Sequence, residues 1–233
     1  TGSNANVSYG YTPWYYSRAN TIEVTMEEGI TSIGSNMFYE CTGLTILNIP
    51  STVTSIGSSA FYNCSKWNSI ISFANITKIK NAAFYGCIAL QGIWDFSDKL
   101  TSIEENTFYN CKLIAGECDL SNITSIGNYA FRNCTGITKV VISDKVTQLN
   151  RNSFGGDTGI KEITIPISLN PICVEEFNTR YDNYASFQNC TGITKVNFTK
   201  GTGEGFNYTG SNANVSYGYT PWYYSRANTI EVT

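Results

Sequence analysis

The chain has 233 residues, of which 42% are hydrophobic, 14% aromatic and 14% charged, and its net charge is −3. That balance gives no electrostatic reason to bind nucleic acid or an anionic membrane, and no apolar run approaches the roughly 20 residues that span a bilayer. Histidine is absent, which excludes Ser-His-Asp and Cys-His nucleophiles, and without a C-x-x-C spacing no zinc ligand set is assembled either.

Residues 1–25 read as a cap segment. Thr12-Pro13 is a helix start, with Thr as N-cap and Pro at the first helical position. The run Trp14-Tyr15-Tyr16-Ser17-Arg18 then predicts one or two helical turns. The cap and the residues just after it keep the register of a repeat: Val24 + 23 is Leu47, Met26 + 23 is Ile49 and Tyr15 + 23 is Phe38. The cap is therefore a degenerate repeat whose aromatic helix covers the first exposed core turn, an end that would otherwise present open backbone and apolar side chains.

From residue 26 to 198 a period of about 23 residues takes over. A Phe column runs through Phe38, Phe61, Phe84, Phe108, Phe131, Phe154 and Phe187, in steps of 23, 23, 24, 23, 23 and 33 residues. Three residues after each Phe stands Cys41, Cys64, Cys87, Cys111, Cys134, then Asp157 in place of Cys, then Cys190. Aliphatics precede each of the first six Phe by five residues (Ile33, Ile56, Ile79, Ile103, Ile126, Leu149) and by eight (Ile30, Val53, Ile76, Leu100, Ile123, Val146). Alternating runs such as Leu44–Ile49, Ile137–Ile142, Ile160–Ile165 and Ile193–Phe198 read as short strands with one face inward. The final step of 33 places an insertion near residues 173–186. Residues 199–219 form a glycine-bearing linker, and residues 220–233 start the next module.

Residues 209–233 repeat residues 1–25 letter for letter, at an offset of 208. Surface letters such as Asn4 and Ser8 return along with the core ones, which points to tandem modules of nearly identical sequence. One copy of about 23 residues cannot bury an apolar face alone; stacked copies build a continuous core. The expected fold is a β-rich α/β solenoid. It has a parallel sheet on one wall, short helical turns and loops on the other, and an aromatic helix-strand unit as cap.

These columns resemble the BspA-like, or Treponema-type, leucine-rich repeats. The shared motif is I-T-S-I-G-x-x-x-F-x-x-C-x-x-[LI], seen at Ile30–Leu44, Val53–Trp67 and Ile123–Ile137. The resemblance implies a horseshoe fold, export to the cell surface, and adhesion or surface recognition; it carries no catalytic residues. The chain departs from the pattern at Asp157, at Glu117 in a strand position, and in the insertion.

Candidate functional residues fall into four groups. The Cys column reads as a ladder of small buried thiols, because parallel Cβ vectors on adjacent coils strain a disulfide; Cys118 and Cys173 lie outside it. The acidic pairs Glu27/Glu28, Glu104/Glu105 and Glu175/Glu176 read as solvated loop charge, and no cofactor is expected. Tyr39, Tyr62, Tyr85 and Tyr109 form a stripe along one edge, either a self-stacked shield or a strip for glycans or proteins, while Trp94, Lys139, Lys161 and Lys195 fall on or beside the strand face. Trp14, Tyr15, Tyr16, Ile22 and Val24, with their repeats Trp222, Tyr223, Tyr224, Ile230 and Val232, are the candidate module interface. The expected partners are neighbouring identical modules, head to tail, and host or matrix glycans or proteins, in an extracellular or cell-surface setting.

Overall fold

The computed structural model describes residues 14–146, 149–166, 169 and 186–199, and the backbone of 231–232. Thr12-Pro13, Cys173, Glu175/Glu176, nearly all of the insertion and the linker, and Trp222, Tyr223, Tyr224 and Ile230 lie outside the described residues. Among the described residues fourteen short strands follow one another in chain order. They are β1 Glu23–Val24, β2 Ser32–Ile33, β3 Ile46–Leu47, β4 Ser55–Ile56, β5 Ile70–Ile71, β6 Lys78–Ile79 and β7 Gln91–Ile93. Then come β8 Ser102–Ile103, β9 Leu113–Leu120, β10 Ser125–Ile126, β11 Ile137–Ile142, β12 Glu162–Pro166, β13 Lys195–Thr199 and β14 Glu231–Val232.

Every pairing between these strands is parallel, so the chain coils in one direction. One wall is a seven-stranded sheet in the order β14-β13-β12-β11-β9-β7-β5, preceded by the β1-β3 pair. The Asn68 amide joins the two by donating to Thr45 O at 3.3 Å. The opposite wall carries β2-β4-β6 and β8-β10, extended by a bridge from Ile126 to Leu149. Its pairing lapses between β6 and β8, where the Phe step lengthens from 23 to 24 residues. There the Glu104 carboxylate supplies what the ladder loses, accepting from Asn81 N–H at 2.9 Å and pairing with Lys80 Nζ at 2.7 Å.

The expected helical wall is not present among the described residues. The only helix there is a three-residue 3-10 turn at Tyr15–Ser17. The cause lies in the backbone on either side of each Phe. Two residues before it (Asn36, Ser59, Ala82, Asn106, Tyr129, Asn152) and two after it (Glu40, Asn63, Gly86, Asn110, Asn133, Gly156, Asn189) φ is positive. A left-handed residue every four positions cannot continue an α-helix. The segment instead makes two tight turns whose amides reach the adjacent coil, as in Phe61 N–H to Ala83 O at 2.8 Å and Asn63 N–H to Tyr85 O at 2.6 Å. The Asn letters recurring before Cys are there because a short amide side chain tolerates that conformation.

The core runs along the coil axis between the walls. Phe38, Phe61, Phe84, Phe108, Phe131, Phe154 and Phe187 are all buried. Successive rings stack at 5.0–5.4 Å with interplanar angles of at most 17°. A second aromatic group, Phe73, Trp94 and Phe96, meets the edges of Phe84, Phe108 and Phe131. Trp94 is therefore a core residue and not part of the strand face. Trp67 is also buried, and its indole N–H donates to Leu47 O at 2.9 Å.

Candidate functional site

The Cys column is built into the turn that succeeds each Phe. Cys64, Cys87, Cys111, Cys134 and Cys190 are buried free thiols. Each Sγ–H donates to the carbonyl of the Phe one coil earlier: Cys64 to Phe38, Cys87 to Phe61, Cys111 to Phe84, Cys134 to Phe108 and Cys190 to Phe154, at 2.9–3.2 Å. Each of these carbonyls already accepts from the backbone N–H three residues on, as Phe61 O does from Cys64 N–H at 3.1 Å, and the thiol supplies a second, weak donor to its other lone pair without the desolvation cost of a stronger polar group. Burial raises the pKa of Cys64, Cys87 and Cys134 well above the usual thiol value, and raises Cys41 to about 11. Such thiols are poor nucleophiles. Cys118, off the column, is a core residue of β9 opposite Val140.

Asp157 takes one rung of this ladder and is fully buried. Its Oδ1 accepts from Cys134 N–H at 2.6 Å, while Oδ2 has no partner. Burial drives its pKa well above the ordinary carboxylate range. Three thiols, Cys118, Cys134 and Cys190, lie close enough for its charge to raise their own pKa values.

The four tyrosines of the edge stripe are half-buried and stack ring on ring. Tyr39–Tyr62, Tyr62–Tyr85 and Tyr85–Tyr109 have centroid separations of 4.9, 4.5 and 4.6 Å. Arg132 continues the row, its guanidinium 5.9 Å from the Tyr109 ring and 5.6 Å from Tyr129. Burial, and then the flanking phenols, raise the pKa of Tyr85.

The outer face of the long sheet changes character along the stack. Its early coils expose Ile22, Ile46, Ile70, Ile93 and Leu113, each between 45% and 80% accessible. Its later coils carry alternating charges at one register position: Glu117 opposite Lys139, Lys139 opposite Glu162, Glu162 opposite Lys195 and Lys195 opposite Glu231. Lys139 Nζ lies 3.1 Å from Glu117, and Lys195 Nζ lies 3.9 Å from Glu162. Lys161 is exposed beside this row. The row could have been found from sequence, since each charge recurs one strand on.

At the cap, Trp14 rather than Tyr15 continues the Phe column. Its ring stacks on Phe38 at 5.3 Å, and its indole N–H donates to Met37 O at 2.8 Å. Trp14 also occupies the N-cap position of the 3-10 turn, with no side-chain capping bond. Tyr15 is held under Arg18, whose guanidinium sits 4.0 Å from the ring, and Tyr16 and Ile22 point to solvent. Val24 is half-buried against the core.

One member of each described acidic pair, Glu28 and Glu104, bridges adjacent coils. Glu28 accepts from Ser51 N–H at 3.1 Å and Thr52 N–H at 3.3 Å, which lowers its pKa. Glu104 is committed to Lys80 and Asn81. Among the described residues no group of three or more His, Cys, Asp or Glu side chains is placed to hold a metal ion. No helix there is long and apolar enough to cross a membrane.

The solenoid is similar to a leucine-rich repeat protein from Bacteroides ovatus, with a TM-score of 0.54 and 20% identity over 91% of this chain and 53% of that one. The chain thus spans about half the length of that protein. A leucine rich cell surface protein from Faecalibacterium prausnitzii aligns with a TM-score of 0.38 and 21% identity, over 78% of this chain and 60% of its own. A T. pallidum leucine rich repeat protein gives 0.44 and 18%, over 78% and 73%. No curated protein matches the chain. The BspA type Leucine rich repeat region matches in six copies, over residues 12–115 and 66–183. With the Phe and Cys columns stacked inside a parallel coil, the chain belongs to the BspA-type leucine-rich repeat family.

Proposed function

We propose that the chain is a non-catalytic structural module of an extracellular or cell-surface fibre or stalk, built by stacking successive modules end to end. The observation that carries this is the position of the duplicated segment. Its first copy supplies β1, which pairs with β3 at one end of the sheet wall; its second supplies β14, which pairs with β13 at the other. The same letters therefore serve both as the floor of one stack and as the roof of another. Membership of a family typical of bacterial cell surfaces supports the location. Eight sheet steps separate β1 from β14, so one module adds about 38 Å at a strand spacing of ~4.8 Å. Electron micrographs of the source polypeptide test the reading. Filaments with an axial repeat near 40 Å are expected, and dispersed, kinked strings would contradict it.

A second reading is favoured by a different observation. The exposed aliphatics from Ile22 to Leu113 and the stacked tyrosine ribbon are the kinds of surface that take a protein or sugar ring. On that reading the array is an adhesin for host glycans or proteins, gaining avidity from copy number. Binding of cells by dispersed strings, lost on changing Ile70 and Ile93 to Asp, would favour it over the fibre.

A further inference from the structure

We infer that the open edge of β1, the edge facing away from β3, is a seat for β13 of a preceding copy of this sequence, with Glu23 set against Lys195. This rests on the module reading but specifies the contact itself. Glu23 and Val24 return as Glu231 and Val232, and these pair with Lys195 and Val196. The first copy pairs instead with Ile46 and Leu47. Upstream and downstream neighbours thus use opposite edges of one strand. Overlaying the two copies places β13 of one module and β3 of the next on either side of it, and the sheet runs through without a break.

Two further observations fix the register. In the charge row Glu117, Lys139, Glu162 and Lys195 alternate, and the next position is occupied by a glutamate. Glu23 itself is exposed and faces Ile46, a neighbour with no charge to offer. In addition, Trp14 precedes Glu23 by nine residues, as Phe108 precedes Glu117 by nine. With Lys195 beside Glu23, Phe187 falls in line with Trp14, whose stacked partner Phe38 lies on its downstream side. The ring column then crosses the junction together with the sheet.

Each junction holds one such strand. In a covalent array one copy serves both neighbours, whereas two separate 233-residue chains bring two copies to a single seat. Docking two intact chains exchanges one strand pairing for another and adds none, so the intact chain should be a monomer. The seat is exposed by Glu231→Pro. A strand residue in this row donates its N–H to the upstream strand, as Ile46 does to Ile22 and Lys195 to Lys161, and proline removes that donor.

Sedimentation of the full chain tests this. The unsubstituted chain should stay monomeric, while E231P should form head-to-tail oligomers through its intact first copy. Adding Glu23→Lys, an exposed change, should weaken that association by roughly 2–5-fold, since it replaces an opposed by a like charge pair across the strands. Adding Glu23→Pro should abolish it. A monomeric E231P, an E231P/E23K as associated as E231P, or an unsubstituted chain that associates as strongly as E231P would overturn the proposal. A charge-dependent association in solution, with no filaments in micrographs of the source polypeptide, would leave the seat standing and remove the fibre.

Discussion

The rungs at Cys134 and Asp157 are consecutive in the same column, and they solve the same local problem differently. At Cys134 a thiol donates to Phe108 O at 2.9 Å and leaves nothing unpaired. At Asp157 a carboxyl accepts from the Cys134 amide and leaves Oδ2 bare in the core. The contrast shows what the column requires: a small group of low polarity that can donate one hydrogen bond backwards. Thiol redox chemistry is not part of that requirement. A carboxyl fits the volume, but its charged form is poorly accommodated in a dry interior.

The largest effect should come from importing the irregular rung into the regular region. Cys87→Asp places a carboxyl between Phe61 and Phe84 where, as at Asp157, one backbone N–H (that of Cys64) can meet one oxygen and the other stays bare, and should cost about 3 kcal/mol in urea unfolding. The converse, Asp157→Cys, should stabilise by about 1–3 kcal/mol at pH 7, by removing the orphan oxygen. A loss of stability there would show that the carboxyl is retained for an interaction the thiol cannot make. Next in size is Cys87→Ala, which removes the second, weak donor to Phe61 O, still held by Cys64 N–H, and opens a small cavity, at about 1 kcal/mol.

The two rungs also differ in their response to pH. Burial raises the pKa of Asp157 in the folded chain above the value of about 3.9 in an unfolded one. Its contribution is therefore fully present below that unfolded value and is lost as pH rises through the folded value. Subtracting the unfolding curve of Asp157→Asn from that of the unsubstituted chain should leave a component that weakens from acid towards neutral pH. The buried thiols have the same sign in a higher window. Their folded pKa values are raised, so stability should fall as pH passes the unfolded thiol value of about 8.5. A flat profile across both windows would remove the distinction between the rungs.

The same geometry explains which parts of the molecule are legible in its letters. The Phe, Cys and aliphatic columns carry a period, and the pairing of Glu23 with Ile46 and Val24 with Leu47 keeps that period in space. On the wall opposite the long sheet, the small residues and Phe anchor of Ile33 to Cys41 suit either a tight turn or a single helical turn, and the structure makes tight turns. The Asn residues flanking each Phe, left-handed in the structure, are the signal against the helical turn. Trp94 resembles a strand-face residue by its neighbours, yet the side group with Phe73 and Phe96 draws it inward. Trp14 takes the ring position that a constant period assigns to Tyr15, because the cap step is 24 residues and not 23. A single inserted residue shifts a stacked ring by one place, and periodicity alone gives no warning of where such a residue falls.

Continuity of the coil from one module into the next is open to direct observation. Electron microscopy of a chain carrying residues 1–208 twice, with 209–233 at its end, should show one unbroken rod about 77 Å long, from ~4.8 Å per sheet step, with a single column of stacked rings through its centre. Two rods joined by a bend at the linker, with β13 of the first ending in solvent, would contradict it.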